Sequence, residues 1–474
     1  MDNPKDFDFQ QNVVEALSNC QLRSNLAFAM GTMIQKRRAV FADLEKFDQL
    51  REVGNAVRRR SLVKLPELLE RLEQKCTANG IRVHWAETTE DARQAVLKIM
   101  RSHDATRLVK GKSMVSEEMH LNAFLTEHGI ESLETDLGEF IIQLEGETPS
   151  HIIVPAIHKN KNEIAKTFHE KIPDTPYTEE VEALNAIARK TLRKKFYEGE
   201  VGLSGVNMAV AETGTLCLVE NEGNGRMCTT LPPVHIAVMG LEKVVEKLVD
   251  VPPLLRLLTG SATGQLITTY VNMITSPRKP GEKDGPKEIH LIILDNGRSK
   301  ILADPELRQT LQCIRCGTCL NHCPVYTRIG GHAYGFVYPG PIGKILTPQM
   351  EGLEKAGAMA TASTLCNACA EVCPVKIPIP DLIRRLRNES YDHKGTVDGH
   401  GYKKTPVERF VWKGWALVNR HPTLNAISTK LAGTLGPVMP KVGPLSQWTS
   451  VRERPSLAKK SLHELVREEG VDHE

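Results

Sequence analysis

Long apolar runs are missing from this sequence of 474 residues. No stretch approaches the ~18 apolar residues that a membrane helix needs, and the mean hydropathy is −0.28. A membrane-spanning chain is not expected. An excess of one charge sign is missing too: 61 Lys and Arg face 58 Asp and Glu, for a net +3. Nucleic-acid binders carry a basic surface, so no nucleic-acid partner is expected. Met1–Gln10 has Asp2, Asp6 and Asp8 and no apolar stretch, and Arg37-Arg38 is followed by a short run that ends at Asp43. Neither reads as an export signal, and the expected location is cytoplasmic. No G-x-G-x-x-G is found: Gly223-Asn-Gly225 runs on into Arg226-Met-Cys228. Gly343-Lys344 lacks the preceding glycine spacing of a phosphate-binding loop.

What is present is ordinary for a folded chain: 41% hydrophobic and 25% charged residues. At about 150 residues per domain, the length suggests about three domains. The unusual feature is cysteine. Of eleven, seven fall between 313 and 373. Disulfide cysteines would not cluster so in a large cytosolic chain, whereas metal ligands do.

Residues 1–75 read as helical, with Leu62, Leu65, Leu68, Leu69 and Leu72 on one face. The triplet Arg58-Arg59-Arg60 reads as a solvated face. From 76 to 300 strands alternate with helices, the rhythm of an α/β domain with a largely parallel sheet. The expected strands are Ile81–Ala86, Thr106–Lys110, Glu131–Thr135, His151–Pro155, Val206–Val210, Leu216–Glu220, His235–Met239 and Ile289–Leu294. Ser116 is the expected cap of the helix after the second strand. Residues 301–392 hold the cysteine runs. From 393 to 474 the chain is again helical. Thr405-Pro406-Val407-Glu408 makes a capping box there, and Phe410 and Trp415 are expected to bury against the cluster domain, or else these aromatic-rich, basic helices dock a partner subunit.

The first run is Cys313-x2-Cys316-x2-Cys319-x3-Cys323-Pro324. This is the bacterial ferredoxin spacing, in which the fourth cysteine serves the other cluster. A zinc site pairs two C-x2-C knuckles over a longer gap. The second run, Cys366-x2-Cys369-x3-Cys373-Pro374, is one ligand short, because Ser363 stands where its first cysteine would be. By the crossover rule Cys313, Cys316, Cys319 and Cys373 hold one 4Fe-4S cluster. Cys323, Cys366 and Cys369 hold the second. Its fourth iron is either absent, giving 3Fe-4S, or bound by Ser363, by water or by a ligand from elsewhere. Alternatively Ser363 only starts a helix. Cys20, Cys76 and Cys217 read as small core residues, and Cys228 as a spare ligand at most.

Motifs outside the cysteine runs carry a further likeness. They include Lys112-Ser-Met-Val115, Glu134-Thr-Asp-Leu-Gly-Glu139, Val154-Pro-Ala-Ile-His-Lys159, Ala211-Glu-Thr-Gly214, Asn221-Glu-Gly-Asn224 and Leu294-Asp-Asn-Gly-Arg-Ser299. Gly330-Gly-His332 and Tyr338-Pro-Gly-Pro-Ile-Gly343 complete the set. Over roughly 80–460 the chain resembles the lactate utilization protein B family, the iron-sulfur subunits of a bacterial three-protein L-lactate oxidation system. The resemblance implies an α/β domain similar to sugar-phosphate isomerases and CoA transferases. It also implies a ferredoxin-like two-cluster domain and helical N- and C-terminal regions. It assigns the same two ligand sets, and electron transfer during oxidation of L-lactate to pyruvate beside proteins A and C of the system.

A cluster moves single electrons, whereas a 2-hydroxy acid gives up a hydride to a flavin or nicotinamide. The residues therefore suit an electron carrier better than a dehydrogenase. Two alternatives stand beside it. The α/β domain could itself bind and oxidise the 2-hydroxy acid, or the chain could be an adaptor for another dehydrogenase, such as one for glycolate. Glu134, Asp136, His158, Lys159, Glu212 and Asn221 sit at expected strand ends, where α/β sheets bind ligands. Lys112-Ser113 precedes a helix and could take an anion.

Overall fold

Strands buried on both faces need nearly continuous apolar sequence, and two segments of this chain supply it. The computed structural model describes residues 9–392, 406–435, 458 and 460–470. The chain divides into two compact units, one ending at Glu389 and one starting at Ser390. The first unit contains β1 (Ile81–Ala86), β2 (Arg107–Lys110), β3 (Glu131–Glu134), β4 (Val201–Gly205) and β5 (Met208–Val210). Then follow β6 (Thr215–Glu220), β7 (Val234–Gly240), β8 (Val244–Val245), β9 (Tyr270–Ile274) and β10 (Glu288–Leu294).

Six strands make a wholly parallel sheet in the order β1-β10-β7-β4-β2-β3. The apolar β7 and β10 lie inside it, with Val234 paired to both Glu288 and Val201. A second sheet, β8-β5-β6-β9, is mixed. Its β5–β6 hairpin turns at Gly214, whose φ of +69° suits glycine. The α/β class is as expected, and seven of the eight expected strands match β1, β2, β3, β5, β6, β7 and β10 to within two residues.

Three expectations fail for local reasons. His151–Pro155 is not a strand. The buried His151 ring accepts hydrogen bonds from the backbone N–H groups of Ile153 and Val154, 3.0 and 3.1 Å from Nδ1, and this turns the chain. Ser116 lies inside the helix Met114–Glu118, and Ser113 caps it. Cys20 is exposed rather than a core residue, whereas Cys76 and Cys217 are buried as expected.

The N-terminal helices are α1 (Phe9–Ser18), α2 (Cys20–Val40), α3 (Leu44–Val63) and α4 (Leu65–Ala78). The leucine face is buried as its spacing predicts, with Leu62, Leu65, Leu68, Leu69 and Leu72 all in one core. The arginine triplet departs from its reading. Arg58 is 2% exposed, and Arg60 pairs with Glu246 and Asp250. Arg59 faces solvent and Arg60 is half-exposed.

The second unit contains the helices Pro406–Arg420, Pro422–Leu435 and Leu462–Glu469. Phe410 and Trp415 are exposed on the helix Pro406–Arg420. Thr405 of the expected capping box lies outside the described residues. No helix among the described residues is long and apolar enough to cross a membrane.

Close packing at β4 generates a test. A Cβ on Gly202 would fall 1.8 Å from the carbonyl oxygen of Cys228, and backbone cannot swing aside. Gly202→Ala should cost about 1–3 kcal/mol, read as a lower urea midpoint with unchanged slope.

Candidate iron-sulfur site

Both cysteine runs fold on the same backbone plan. In the first, Arg315 and Gly317 flank Cys316 with φ of +60° and +73°. In the second, Leu365 and Asn367 flank Cys366 with φ of +55° and +67°. Left-handed backbone is costly for arginine and leucine, so its recurrence at matching positions marks a shape that both runs require. The plan extends to Ser363. The backbone N–H of Arg315 donates to Cys313 Sγ at 3.4 Å, and that of Leu365 donates to Ser363 Oγ at 3.2 Å. Ser363 therefore stands where Cys313 stands in its own run. It does not start a helix; it follows the 3-10 turn Gly357–Thr361.

The thiols fall into two neighbourhoods that meet at Cys319, which has Cys316, Cys313, Cys369 and Cys373 for neighbours. Burial pushes the Cys316 thiol up, and Cys313 and Cys373 beside it add to the shift. Cys373, pushed up to about 11 by burial, also has Cys313 for a neighbour. Cys323, Cys366 and Cys369 instead line a second space together with Ser363, Thr364 and Lys344. That space measures about 310 Å³, including open solvent. Cys366 is exposed and Cys316, Cys319, Cys323, Cys369 and Cys373 are buried. Backbone N–H groups point at the sulfurs: Tyr326 to Cys323 at 3.5 Å and Ile377 to Cys373 at 3.3 Å.

Buried cations surround the first neighbourhood. Arg58 is held by four backbone carbonyl oxygens, those of Glu242, Val244, Leu311 and Gln312. Arg37 donates to the carbonyl of Val372 and faces the rings of Phe41 and Phe47, while its Nε has no partner. Lys243 is 8% exposed and has no carboxylate at ion-pair distance among the described residues. Burial, with Arg315 nearby, pulls its ammonium down to about 8. Arg315 shares Glu242 with Arg298 and lies over the Tyr338 ring. In the second neighbourhood Lys344, 1% exposed, reaches Cys323 Sγ at 3.6 Å.

An unpaired buried charge costs several kcal/mol, so this shell calls for an anion. Thiolates around an iron-sulfur cluster supply one, and N–H groups aimed at sulfur are among the features that tune such clusters. The residues present thus fit iron-sulfur clusters in donor type, charge and hydrogen bonding.

The other expected site residues scatter. His158 and Lys159 both bind Glu147, at 2.6 and 2.5 Å. Glu212 accepts from the backbone of Leu248, and Asn221 holds the turn at Thr268 and Thr269. Cys228 is buried against Thr135 in another core, pushed up to about 12 by burial. It is no spare ligand for the cysteine runs. Lys112 donates to the carbonyl of Ile153. Glu134 joins a buried charged cluster with Lys110, Glu117 and Glu139, and His158 a second group with Glu147 and His332. Sequence reasoning missed Arg37, Arg58, Lys243 and Lys344, because a basic residue in a helix or turn carries no mark of the chain segment that will cover it.

Three family descriptions match the chain in order. Residues 69–294 match the LUD domain, 309–377 a 4Fe-4S dicluster domain, and 385–471 the C-terminal region of lactate utilisation protein B. "Lactate utilization protein B" of Anoxybacillus flavithermus is 39% identical over 472 residues, covering 98% of each chain. That of Macrococcus caseolyticus is 41% identical over 457 residues, 94% of each. The chain belongs to the lactate utilization protein B family. The "Uncharacterized electron transport protein YkgF" of Escherichia coli is 40% identical over 461 residues, 94% of each chain. A solved duf162 family protein of Deinococcus radiodurans shares 14% identity over 48% of this chain and 98% of its own, with a TM-score of 0.29. As a family member with a dicluster domain, the chain is an iron-sulfur protein.

The cation shell yields a test with two arms. In the cluster-free protein Lys243 is a buried charge lacking its anion, so Lys243→Met should raise stability by about 1 kcal/mol. In the iron-loaded protein the same change should be destabilising. Paired urea titrations check the reversal of sign.

Proposed function

We propose that this chain passes electrons, one at a time, through two clusters during oxidation of L-lactate to pyruvate. The observation that carries this reading is the crossed grouping of the cysteines. Cys373 of the second run lies with Cys313 and Cys316, and Cys323 of the first run lies with Cys366 and Cys369. The proposed ligands are Cys313, Cys316, Cys319 and Cys373 for one cluster and Cys323, Cys366 and Cys369 for the other. When bound, a cluster stores single electrons on its irons and sulfides. The chain's own residues do the rest. Arg37, Arg58 and Lys243 offset the negative charge of the buried four-cysteine site. Lys344 does so at Cys323. The exposed Cys366 brings the three-cysteine site to the surface, where a redox partner can approach.

The partners on this reading are proteins A and C of the lactate utilization system, with the electrons coming from the L-lactate pathway, and the setting is the cytoplasm. The proposed division is 1–75, 76–300, 301–392 and 393–474: helical, α/β, cluster-bearing and helical. The fourth position of the second cluster is assigned to Ser363, supported by its backbone match to Cys313. A hydroxyl is a harder ligand than a thiolate and holds such iron less firmly.

Three outcomes are expected. Cys373→Ala should abolish the electron paramagnetic resonance signal of the four-cysteine cluster, about fifty residues upstream; loss of the other signal alone would reverse the pairing. Ser363→Cys should slow the loss of iron in air, and Ser363→Ala should alter the spectrum of the three-cysteine cluster. Equal iron loss in wild type and Ser363→Cys would remove the serine from the ligand set. A deletion strain without other lactate dehydrogenases should fail on L-lactate and grow on pyruvate.

A further inference from the structure

The electron-transfer reading leaves the motifs around Lys112 and Glu134–Glu139 unused, yet they meet at one edge of the parallel sheet. From β2 the chain crosses to β3 on one side, and from β4 it crosses to β7 on the other. The connections diverge between β2 and β4, and the acidic cluster lies one strand further out, at the carboxyl ends of β2 and β3. Lys110 ends β2 and Glu134 ends β3. Glu117 comes from the helix after β2, and Glu139 from the first turn of the helix Leu137–Glu145 after β3. The Asp136 side chain caps that helix by accepting from the Glu139 backbone at 3.2 Å, which fixes where Glu139 begins.

One carboxylate oxygen of each of Glu117, Glu134 and Glu139 lies within 4.8 Å of the others. The site is deep: Glu134 is 3% and Glu139 1% exposed. The existing bonds use one side of the cluster. The fully buried Lys110 ammonium binds Oε1 of Glu117 at 3.2 Å and Oε1 of Glu134, and Asn122 donates to that same Glu134 oxygen at 2.7 Å. Oε2 of Glu134 and both oxygens of Glu139 are buried with no hydrogen-bond partner. Lys112 does not supply one; its ammonium goes to the carbonyl of Ile153 at 2.6 Å.

Three carboxylates face two ammonium charges, because Lys112 acts on Glu139 as well as Lys110, which leaves one negative charge. A proton on Glu139 would cancel it and could be shared with one neighbouring oxygen, yet buried acceptor oxygens would still be unmet, each at a cost of about 1–3 kcal/mol. We propose that Glu117, Glu134 and Glu139 form a divalent-cation site at the β2–β3 edge of the sheet, separate from the cysteine runs. The donors are all hard oxygens, which selects magnesium, manganese or calcium and disfavours thiolate-seeking metals. Lys110 holds the Oε1 oxygens of Glu117 and Glu134 and so turns the remaining oxygens toward the cation.

The test uses the full chain with its clusters loaded, under anaerobic conditions, and manganese(II) as the probe. Free manganese gives a six-line resonance that disappears on binding. The expected result is uptake of one manganese per chain, reversed by magnesium or calcium and accompanied by a higher melting temperature. Glu139→Gln is nearly isosteric, and Glu117→Gln lies at the more open side. Each should weaken uptake about tenfold or more and abolish the melting shift, with the cluster resonance unchanged. Absence of uptake at millimolar manganese would overturn the proposal. So would uptake that both variants retain while folded. Neither result depends on growth on lactate or on the cluster signals, so failure here is distinguishable from failure of the electron-transfer reading.

Discussion

Charge neutrality in a buried space governs this molecule. Arg58 and Lys243 are enclosed with Glu242 and Cys313 near them, and the Glu242 carboxylate is already shared between Arg298 and Arg315. These cations leave positive charge for thiolates among the cysteines to offset. The consequences spread outward. α3 is held against the cysteine loops because Arg58 spends its guanidinium on four carbonyls there. Glu242, just after β7, links the same loops to the parallel sheet through Arg298, which also binds Glu118. Sheet, N-terminal helices and cysteine runs therefore share one electrostatic problem, and α2 to α4 belong to the cluster-bearing core as much as to the sheet.

Much of this was legible in the sequence because the relevant signals are local. Apolar runs announced β7 and β10, leucine spacing announced the buried face of α4, and cysteine spacing announced both ligand runs. What escaped depends on distant chain. His151–Pro155 has strand-like composition, but an imidazole captures its N–H groups. Arg58 sits in a helical triplet that looks solvated, and only the return of Leu311–Gln312, some 250 residues later, buries it. β9 alternates between half-buried and exposed positions and offered little contrast to read. The strand-end residues were individually sensible and collectively misleading. Of the six, only Glu134 joins the buried carboxylate cluster, while Lys110, Glu117 and Glu139 were not anticipated.

The two cysteine runs show how much of a site lies in the backbone. Leu365 and Asn367 adopt the left-handed conformations that Arg315 and Gly317 adopt, although the residue types differ. Asparagine tolerates that region and leucine does so at a cost. The second run thus kept the fold of a four-cysteine loop while its first side chain became a hydroxyl. The change altered one donor atom and left the loop that presents it in place.

The reach of α3 also sets an order of events during biogenesis. Arg51 donates to the carbonyl oxygens of Cys373 and Ala370, and Asn55 to that of Val375, across more than 300 residues of chain. At the ribosome's pace of about 5–20 residues per second, α3 waits roughly 15–60 s for these acceptors. The proposed ligand sets impose the same delay, since each draws on both runs, and a nascent chain ending before residue 369 has neither set complete. Metal delivery is thereby deferred until the sheet and the helices around it have already been made, and a truncated chain exposes thiols that the finished protein encloses.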